Sequence, residues 1–265
     1  RDYYASRGLG DVYKRQAFYL RRLNMIRLET HCHTKYSKDS MLPFSLLYLK
    51  CRLCHINWIA VTEHNNIQGA VEFKKYCEKK KDKLHVIIGE EIMTLDGEVI
   101  GLFLKEEIPA GLSCDETITR IQKQDGIVYV PHPYDEKRAK TVLKEECIKE
   151  NAFRIDCIEC YNGRNISDTY EMKQTDIAKK YSLDFVIGSD AHTVWEIGRN
   201  YMMVNCIPDS PETFKQAIKC ATFHKRKCLK FSHKITKLVK LLRMLKKGNF
   251  NEIYRVIKKR FGRTV

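Results

Sequence analysis

Arg27-Leu-Glu-Thr-His-Cys-His-Thr-Lys-Tyr-Ser-Lys-Asp-Ser40 is the stretch from which the rest of the chain is read, and its centre is the pair His31 and His33. Residues two apart on a β-strand point to the same face. A short strand over residues 25–30 running into this pair therefore aims both imidazoles at one point at its end. An apolar core has no use for two adjacent imidazoles, and the Ser/Lys/Asp-rich turn that follows belongs to a site. In isolation a His-x-His is more often two exposed loop histidines. The flanking sequence decides between the two readings.

Going outward, one pattern recurs. Trp58-Ile-Ala-Val61 ends in Thr62-Glu-His-Asn65, and His85-Val-Ile-Ile88 ends in Gly89-Glu-Glu91. Ile127-Val-Tyr-Val130 ends in Pro131-His-Pro133. The run 155–160 ends in Tyr161-Asn-Gly-Arg164, and Asp184-Phe-Val-Ile187 ends in Gly188-Ser-Asp-Ala-His192. A further strand, 98–104, follows a turn at Asp96-Gly97. Between these runs lie helical patterns: Leu46, Leu47, Leu49, Leu53 and Ile56 after Pro43, then 70–81 and 117–124. Short apolar runs alternating with helices indicate an α/β chain built of parallel βα units. In a closed βα barrel the strand C-terminal ends gather on one face, so the polar tips converge there.

The tips supply His31, His33, Asp39, His64, Glu91, His132, Asp190 and His192. Imidazoles and carboxylates in that ratio suit borderline divalent ions, Zn, Mn or Fe(II), and there are too many donors for one ion. Asp190 and His192 repeat the spacing of His31 and His33, again just past a strand.

Composition bounds the remainder. The chain has 265 residues, 43% of them hydrophobic and 31% charged, and no apolar run approaches the length that spans a bilayer. Eleven cysteines, an odd number at irregular spacing with no signal peptide before them, argue against a disulfide framework and for a cytoplasmic location. Cys51-x-x-Cys54 and Cys157-x-x-Cys160 are read as buried thiols rather than a joint zinc site, because the first pair falls in a helical pattern and the second in a strand. Residues 1–24 lack periodicity and are read as a non-native or disordered leader, with Met25 the plausible native start. Of the net charge of +15, the segment 223–265 holds fifteen Lys/Arg against the single acid Glu252. The first 222 residues are therefore nearly neutral and the tail strongly basic. Ile235, Leu238, Val239, Leu241, Leu242 and Leu245 make the tail's first part an amphipathic helix, and Phe250, Ile253, Tyr254, Ile257 and Phe261 a second. Helices packed on the barrel flank with solvated lysines, a contact to nucleic acid, and a contact to an anionic membrane are all compatible with that pattern. On this reading, removal of the tail leaves chemistry on a small phosphoester nearly unchanged.

His31-Cys-His-Thr-Lys-Tyr-Ser-Lys-Asp-Ser40, Val61-Thr-Glu-His-Asn65, Gly89-Glu-Glu91, Val130-Pro-His-Pro133 and Gly188-Ser-Asp-Ala-His192 resemble, in order, the motifs of the PHP (polymerase and histidinol phosphatase) superfamily of metal-dependent phosphoesterases. The resemblance covers residues 25–208. It implies a distorted (βα)7 barrel of the PHP type, here with a C-terminal basic helical extension, and a cleft holding two or three divalent metal ions (Zn, Mn or Fe). It implies one ion on His31, His33, Glu91 and Asp190, a second sharing Glu91 and taking His132, and a third on Asp39, His64 and His192. Two departures stand out. Ile100 occupies a place where many relatives carry a histidine of the second ion, and Glu63 replaces the usual aspartate of the Thr-Asp-His-Asn motif.

Clustered divalent ions acidify a bridging water and neutralise phosphate oxygens, so hydrolysis of a phosphate ester is the expected reaction, with Asp190 and Arg164 catalytic. Asn162 and Arg164 are placed at the substrate phosphate, Arg164 through its planar fork. Expected substrates are a small phosphorylated metabolite, a nucleoside bisphosphate or an oligonucleotide end. The competing readings are a non-catalytic PHP module that binds metal or ligand and a polyanionic partner, and a metal hydrolase of amide or C–N bonds.

Overall fold

The computed structural model describes residues 25–81 and 83–246. The leader 1–24 and the second tail helix lie outside the described residues. One sheet organises the chain, and its strands run in the order β7-β6-β5-β4-β3-β2-β1-β8-β9. β1 (Ile26–Cys32), β2 (Trp58–His64) and β3 (His85–Thr94) are parallel, as are β5 (Ile127–Val130), β6 (Cys157–Asn162) and β7 (Asp184–Gly188). β4 (Gly97–Leu102) runs against both of its neighbours.

The sheet curls until its ends nearly meet. The Thr30 hydroxyl donates to the Ile187 carbonyl at 2.9 Å, the His33 N–H donates to the Ala191 carbonyl at 2.9 Å, and Cys32 forms a parallel bridge with Ala191. β1 and β7 thereby close a barrel-like sheet whose parallel strands all point at one mouth. β8 (Tyr201–Val204) and β9 (Thr222–His224), which the apolar runs do not announce, add antiparallel to the outside of β1. The first residues of the basic segment thus complete the sheet.

β4 is reversed by its hairpin. Thr94 donates to the Gly97 carbonyl at 2.6 Å, and Gly97 sits at φ 125°, where a Cβ would lie 2.4 Å from the Leu143 Cα. Only glycine fits there. A reversed strand starts where its neighbours end, so the N-terminal end of β4, not its C-terminal end, stands at the mouth.

Below the mouth the interior is apolar, filled by Leu28, Ala60, Ile87, Ile100, Leu102 and Tyr129 among others. Helices α1 (Phe44–Leu53), α2 (Gln68–Lys79), α3 (Cys114–Gln122), α4 (Glu145–Asn151), α5 (Asp168–Lys180) and α6 (Pro211–Lys219) cover the outside. α1 buries only Leu47 and Cys51, one i,i+4 row, while Leu46, Leu49 and Leu53 face solvent. Helical spacing alone overstated its apolar face. All eleven cysteines are free. Cys51, Cys157 and Cys160 are buried in three separate clusters, and Cys54 is half-buried, so the two Cys-x-x-Cys pairs share no site.

Candidate metal centre

All eight residues singled out in the sequence meet at the mouth. His31 Nε2 and His33 Nε2 lie 3.2 Å apart, and Glu91 approaches both, at 3.5 Å and 3.3 Å. Asp190 Oδ1 stands 3.7 Å from His31 Nε2 and 3.4 Å from His33 Nε2. On one side Glu91 also meets His132 Nε2 at 3.0 Å. On the other it meets His64 Nδ1 at 2.9 Å. Asp39 Oδ1 is held between His192 Nε2 at 3.2 Å and His64 Nε2 at 3.5 Å. Glu91 is the hub of the three groups.

The residues fit divalent cations. Asp39 Oδ1 and Glu91 Oε2 are buried with no hydrogen-bond partner, which is costly for an anionic oxygen unless a cation takes its place. His31 Nδ1 faces Glu159 Oε1 at 3.2 Å and His192 Nδ1 faces the Asp190 carbonyl at 2.8 Å. These acceptors place the ring protons on Nδ1 and turn the Nε2 lone pairs inward, as a ligating imidazole requires.

Buried partners set each ligand's angle. Glu159, in the middle of β6, accepts from Tyr129 OH at 2.7 Å, the His132 N–H at 2.8 Å and Asn162 Nδ2 at 2.8 Å while it faces His31. Room for it comes from Gly188, where a Cβ would fall 2.4 Å from Glu159 Oε1 and 2.5 Å from the His31 Cβ. Glu63 accepts from the Thr34 N–H at 2.9 Å and from the Thr34 and Ser37 hydroxyls. Ser37 Oγ in turn lies 3.0 Å from His33 Nδ1. The longer Glu63 side chain is accommodated by Gly69, where a Cβ would lie 2.2 Å from Glu63 Oε1. Glu29, accepting from the Ser189 N–H at 2.9 Å, is pushed up to about 7 by burial.

Charges in the cluster follow from burial and neighbours. Burial opposes ionisation at Asp190, but Arg138 and His31 outweigh it and hold its carboxyl well below the usual range. Glu91 is likewise held low against burial by His64 and His31. His33 is pushed down to about 3 by burial, then by His192 and His64. Glu98 is raised by burial and by the negative charge of Glu91.

Several of these groups were not legible as site residues. Glu98, at the mouth end of the reversed β4, lies 3.5 Å from His132 Nε2 and 3.8 Å from His64 Nδ1. Its carboxylate reaches the second group, where the sequence suggested a gap, while Ile100, two residues on and deeper in the same strand, joins the apolar interior. Arg138, in the short 3-10 helix Glu136–Arg138, donates to Asp190 Oδ2 at 2.6 Å. Glu29 and Glu159 carried a faint signal, each being a carboxylate inside an apolar run.

Arg164 is 5% exposed, not a surface arginine. Its Nε faces Glu196 Oε1 at 3.4 Å and its Nη2 donates to Thr236 Oγ1 at 2.8 Å. Asn162 accepts from the Arg164 N–H at 2.8 Å, so its amide braces Glu159 and the Arg164 backbone. Thr236 belongs to α7 (Lys230–Lys246), the first tail helix. α7 lies at the same cleft, a cavity of about 790 Å³ whose lining includes Asp39, His64, Glu98, Arg138, Arg164, His192 and Lys237. The tail is therefore not remote from the site, contrary to the expectation of a separable segment.

The PHP domain family model matches residues 29–259. An uncharacterized protein of Methanocaldococcus jannaschii, MJ0417, is 34% identical over 206 residues, which cover 74% of this chain and 81% of that protein. Among solved structures, a candidate metal-dependent phosphoesterase of Bifidobacterium adolescentis superposes with a TM-score of 0.54 at 16% identity, covering 72% of this chain and 94% of that one. The lesion-specific endonuclease PfuEndoQ of Pyrococcus furiosus gives 0.51 at 17%, covering 75% and 57%. At these identities the structures speak to the fold, a PHP-type TIM-like barrel. With the family match spanning most of its length, the chain belongs to the PHP domain family.

Proposed function

We propose that this protein hydrolyses a phosphate ester in the cleft at the barrel mouth, using two or three divalent ions. The observation that carries this reading is the convergence of His31 and His33 from β1, His64 from β2 and His132 from β5 on Glu91, with Glu91 Oε2 and Asp39 Oδ1 buried against imidazole nitrogens. His31, His33, Glu91 and Asp190 would hold one ion. Glu91, His132 and Glu98 would hold the second, and Asp39, His64 and His192 the third. Bound there, such ions acidify a water and neutralise the charge that builds on phosphate oxygens.

The chain's own residues orient and exclude. Glu159 and Ser37 fix the rings of His31 and His33. Arg138 keeps Asp190 ionised and leaves Oδ1 free to face the histidines, which is the catalytic role assigned to Asp190. Arg164, whose guanidinium faces Glu196 and Thr236, would take a phosphate oxygen. In the reaction water adds to phosphorus, the P–O ester bond breaks, and the alcohol leaves with a proton. The neighbours named phosphoesterase and endonuclease share the barrel on which this chemistry is proposed. Among the described residues no helix is long and apolar enough to cross a membrane. The free thiols fit the reducing cytoplasm proposed as its location.

The test is elemental analysis of the purified protein paired with release of inorganic phosphate from a panel of phosphoesters. Bound Zn, Mn or Fe with phosphate release supports the reading. Metal without turnover on any ester indicates the binding module, and turnover confined to amide or C–N substrates indicates the other hydrolase class.

A further inference from the structure

α7 is rolled so that its leucines face away from the barrel. Leu238, Leu242 and Leu245, spaced as one face of a helix, are 55%, 48% and 45% exposed. The inward stripe has the same helical spacing and is made of Ser232, Thr236, Val239 and Arg243. Ser232 and Val239 are buried, Thr236 accepts from Arg164 Nη2 at 2.8 Å, and Arg243 reaches the loop after β1. A helix that served only to cover the barrel would dock through its leucines, because apolar burial drives such packing. This one docks through groups that touch the candidate site.

Arg243 makes the densest of these contacts. Its Nη2 donates to the Lys35 carbonyl at 2.7 Å and the Ser40 carbonyl at 2.6 Å, and its Nη1 donates to the Ser37 carbonyl at 2.5 Å. The Ser37 carbonyl also accepts from the Ser40 N–H at 3.3 Å, which closes a turn around Lys38 and Asp39. Both ends of the turn that carries Asp39 are thus tied to one guanidinium. The hydroxyls of the same two serines meet ligand residues: Ser37 Oγ lies 3.0 Å from His33 Nδ1, and Ser40 Oγ donates to the His192 carbonyl at 2.9 Å. Asp39 is the ligand that most needs such a hold. The other residues of the three groups stand on a strand or within four residues of its end, where the sheet fixes the backbone. Asp39 sits in a loop, between the exposed Lys38 and the buried Ser40. An ion that must order the loop it binds gives up affinity in doing so. The planar guanidinium fork, with its several donors at fixed angles, suits a set of carbonyls that a single ammonium on a flexible stem does not hold in one geometry.

We propose that Arg243 is a positioning residue of the metal centre: it holds the turn 37–40 in the shape that presents Asp39 to the ion shared with His64 and His192, so that α7 sets the affinity of that ion. This rests on the assignment of ions above. It goes beyond that assignment in making the first tail helix a working part of the centre rather than a separable segment.

Calorimetric titration of the full-length chain with Zn²⁺ tests it, with melting and circular dichroism checking the fold of each variant. Asp39→Asn marks the ion in question. Arg243→Ala should weaken that same ion by about tenfold or more, the usual cost of losing an outer partner of a ligand, and leave the ion on His31, His33, Glu91 and Asp190 within about twofold. The direction is diagnostic. Removing a positive charge beside a cation site tightens the cation on Coulombic grounds alone, so a loss of affinity reports the turn and not the charge. Arg243→Lys, which keeps the charge and loses the fork, should weaken the ion as well. In an Asp39→Asn background Arg243→Ala should weaken binding no further, since the arginine acts through that carboxylate. Amide hydrogen exchange over residues 35–40, measured without metal, should quicken in both arginine variants. Full affinity for every ion in Arg243→Ala, or an additive loss in the Asp39→Asn background, would overturn the proposal, as would an Asp39→Asn variant that binds every ion as tightly as the unmodified chain. If Arg243→Ala loses its fold, Arg243→Lys carries the same test. Because metal binding is read without turnover, failure of the phosphoesterase reading in the phosphate-release panel is a separate result.

Discussion

The two sides of the mouth are built on different rules. On the side of β1, β2 and β7, every donor but Asp39, which stands in the loop after β1, lies at or just past the C-terminal end of a parallel strand: His31 and His33, His64, and Asp190 with His192. On the side of β3, β4 and β5, His132 obeys the same rule and Glu91 lies three residues before the end of β3, but Glu98 stands at the N-terminal end of a strand that runs the other way. A barrel mouth collects whichever end of a strand reaches it. Ligands on a reversed strand must therefore be sought at its beginning.

The largest expected effect lies on the first side. His33→Ala should abolish phosphate release and lower metal affinity by more than about 100-fold, beyond what loss of an outer partner of a ligand costs, with the circular dichroism spectrum unchanged. Near-wild-type turnover with metal bound would show that the side is misassigned.

Glu98→Ala sharpens the contrast. It should weaken one ion by about 10–100-fold in a calorimetric titration and leave the others in place. Ile100 is the register partner of Glu91, so a histidine there would stand beside the hub. Glu98→Ala/Ile100→His should regain part of the lost affinity. If Glu98→Ala binds as many ions as tightly as the unmodified chain, the second side does not use the reversed strand.

A smaller effect concerns the carboxylate behind His33. Gly69→Ala drives a methyl against Glu63 and should cost about 1–3 kcal/mol in chemical denaturation. In a Glu63→Asp background the same change should cost less, because the shorter chain retreats, and the two losses should not add. Additive losses would mean that Gly69 and Glu63 are not matched. Smallest of all, Leu53→Ala on the exposed face of α1 should stay within about 0.5 kcal/mol, whereas Leu47→Ala should cost about 2–5 kcal/mol.

How much of this was readable in the sequence depends on whether local pattern carried it. His31, His33, Asp39, His64, Glu91, His132, Asp190 and His192 were legible because a polar tip after an apolar run is a strand-end signature, and the barrel then brings the tips together. The hairpin at Asp96-Gly97 was legible as a turn, but its consequence for Glu98 was not, since strand direction is set by pairing rather than by the residues of the strand. Arg138 lies in a charged loop with no period to read. The roll of α7 was hidden for a related reason. Helical amphipathy shows two faces, and only the cleft beside it shows which face has somewhere to go.

The most direct test is diffraction at the zinc absorption edge from crystals of the full-length chain grown with Zn²⁺. Anomalous peaks are predicted within about 2.0–2.2 Å of His31, His33, Glu91 and Asp190, and of Asp39, His64 and His192, with a further peak bridging Glu91, His132 and Glu98. Metal bound elsewhere, with His31 and Asp190 left uncoordinated, would contradict the account.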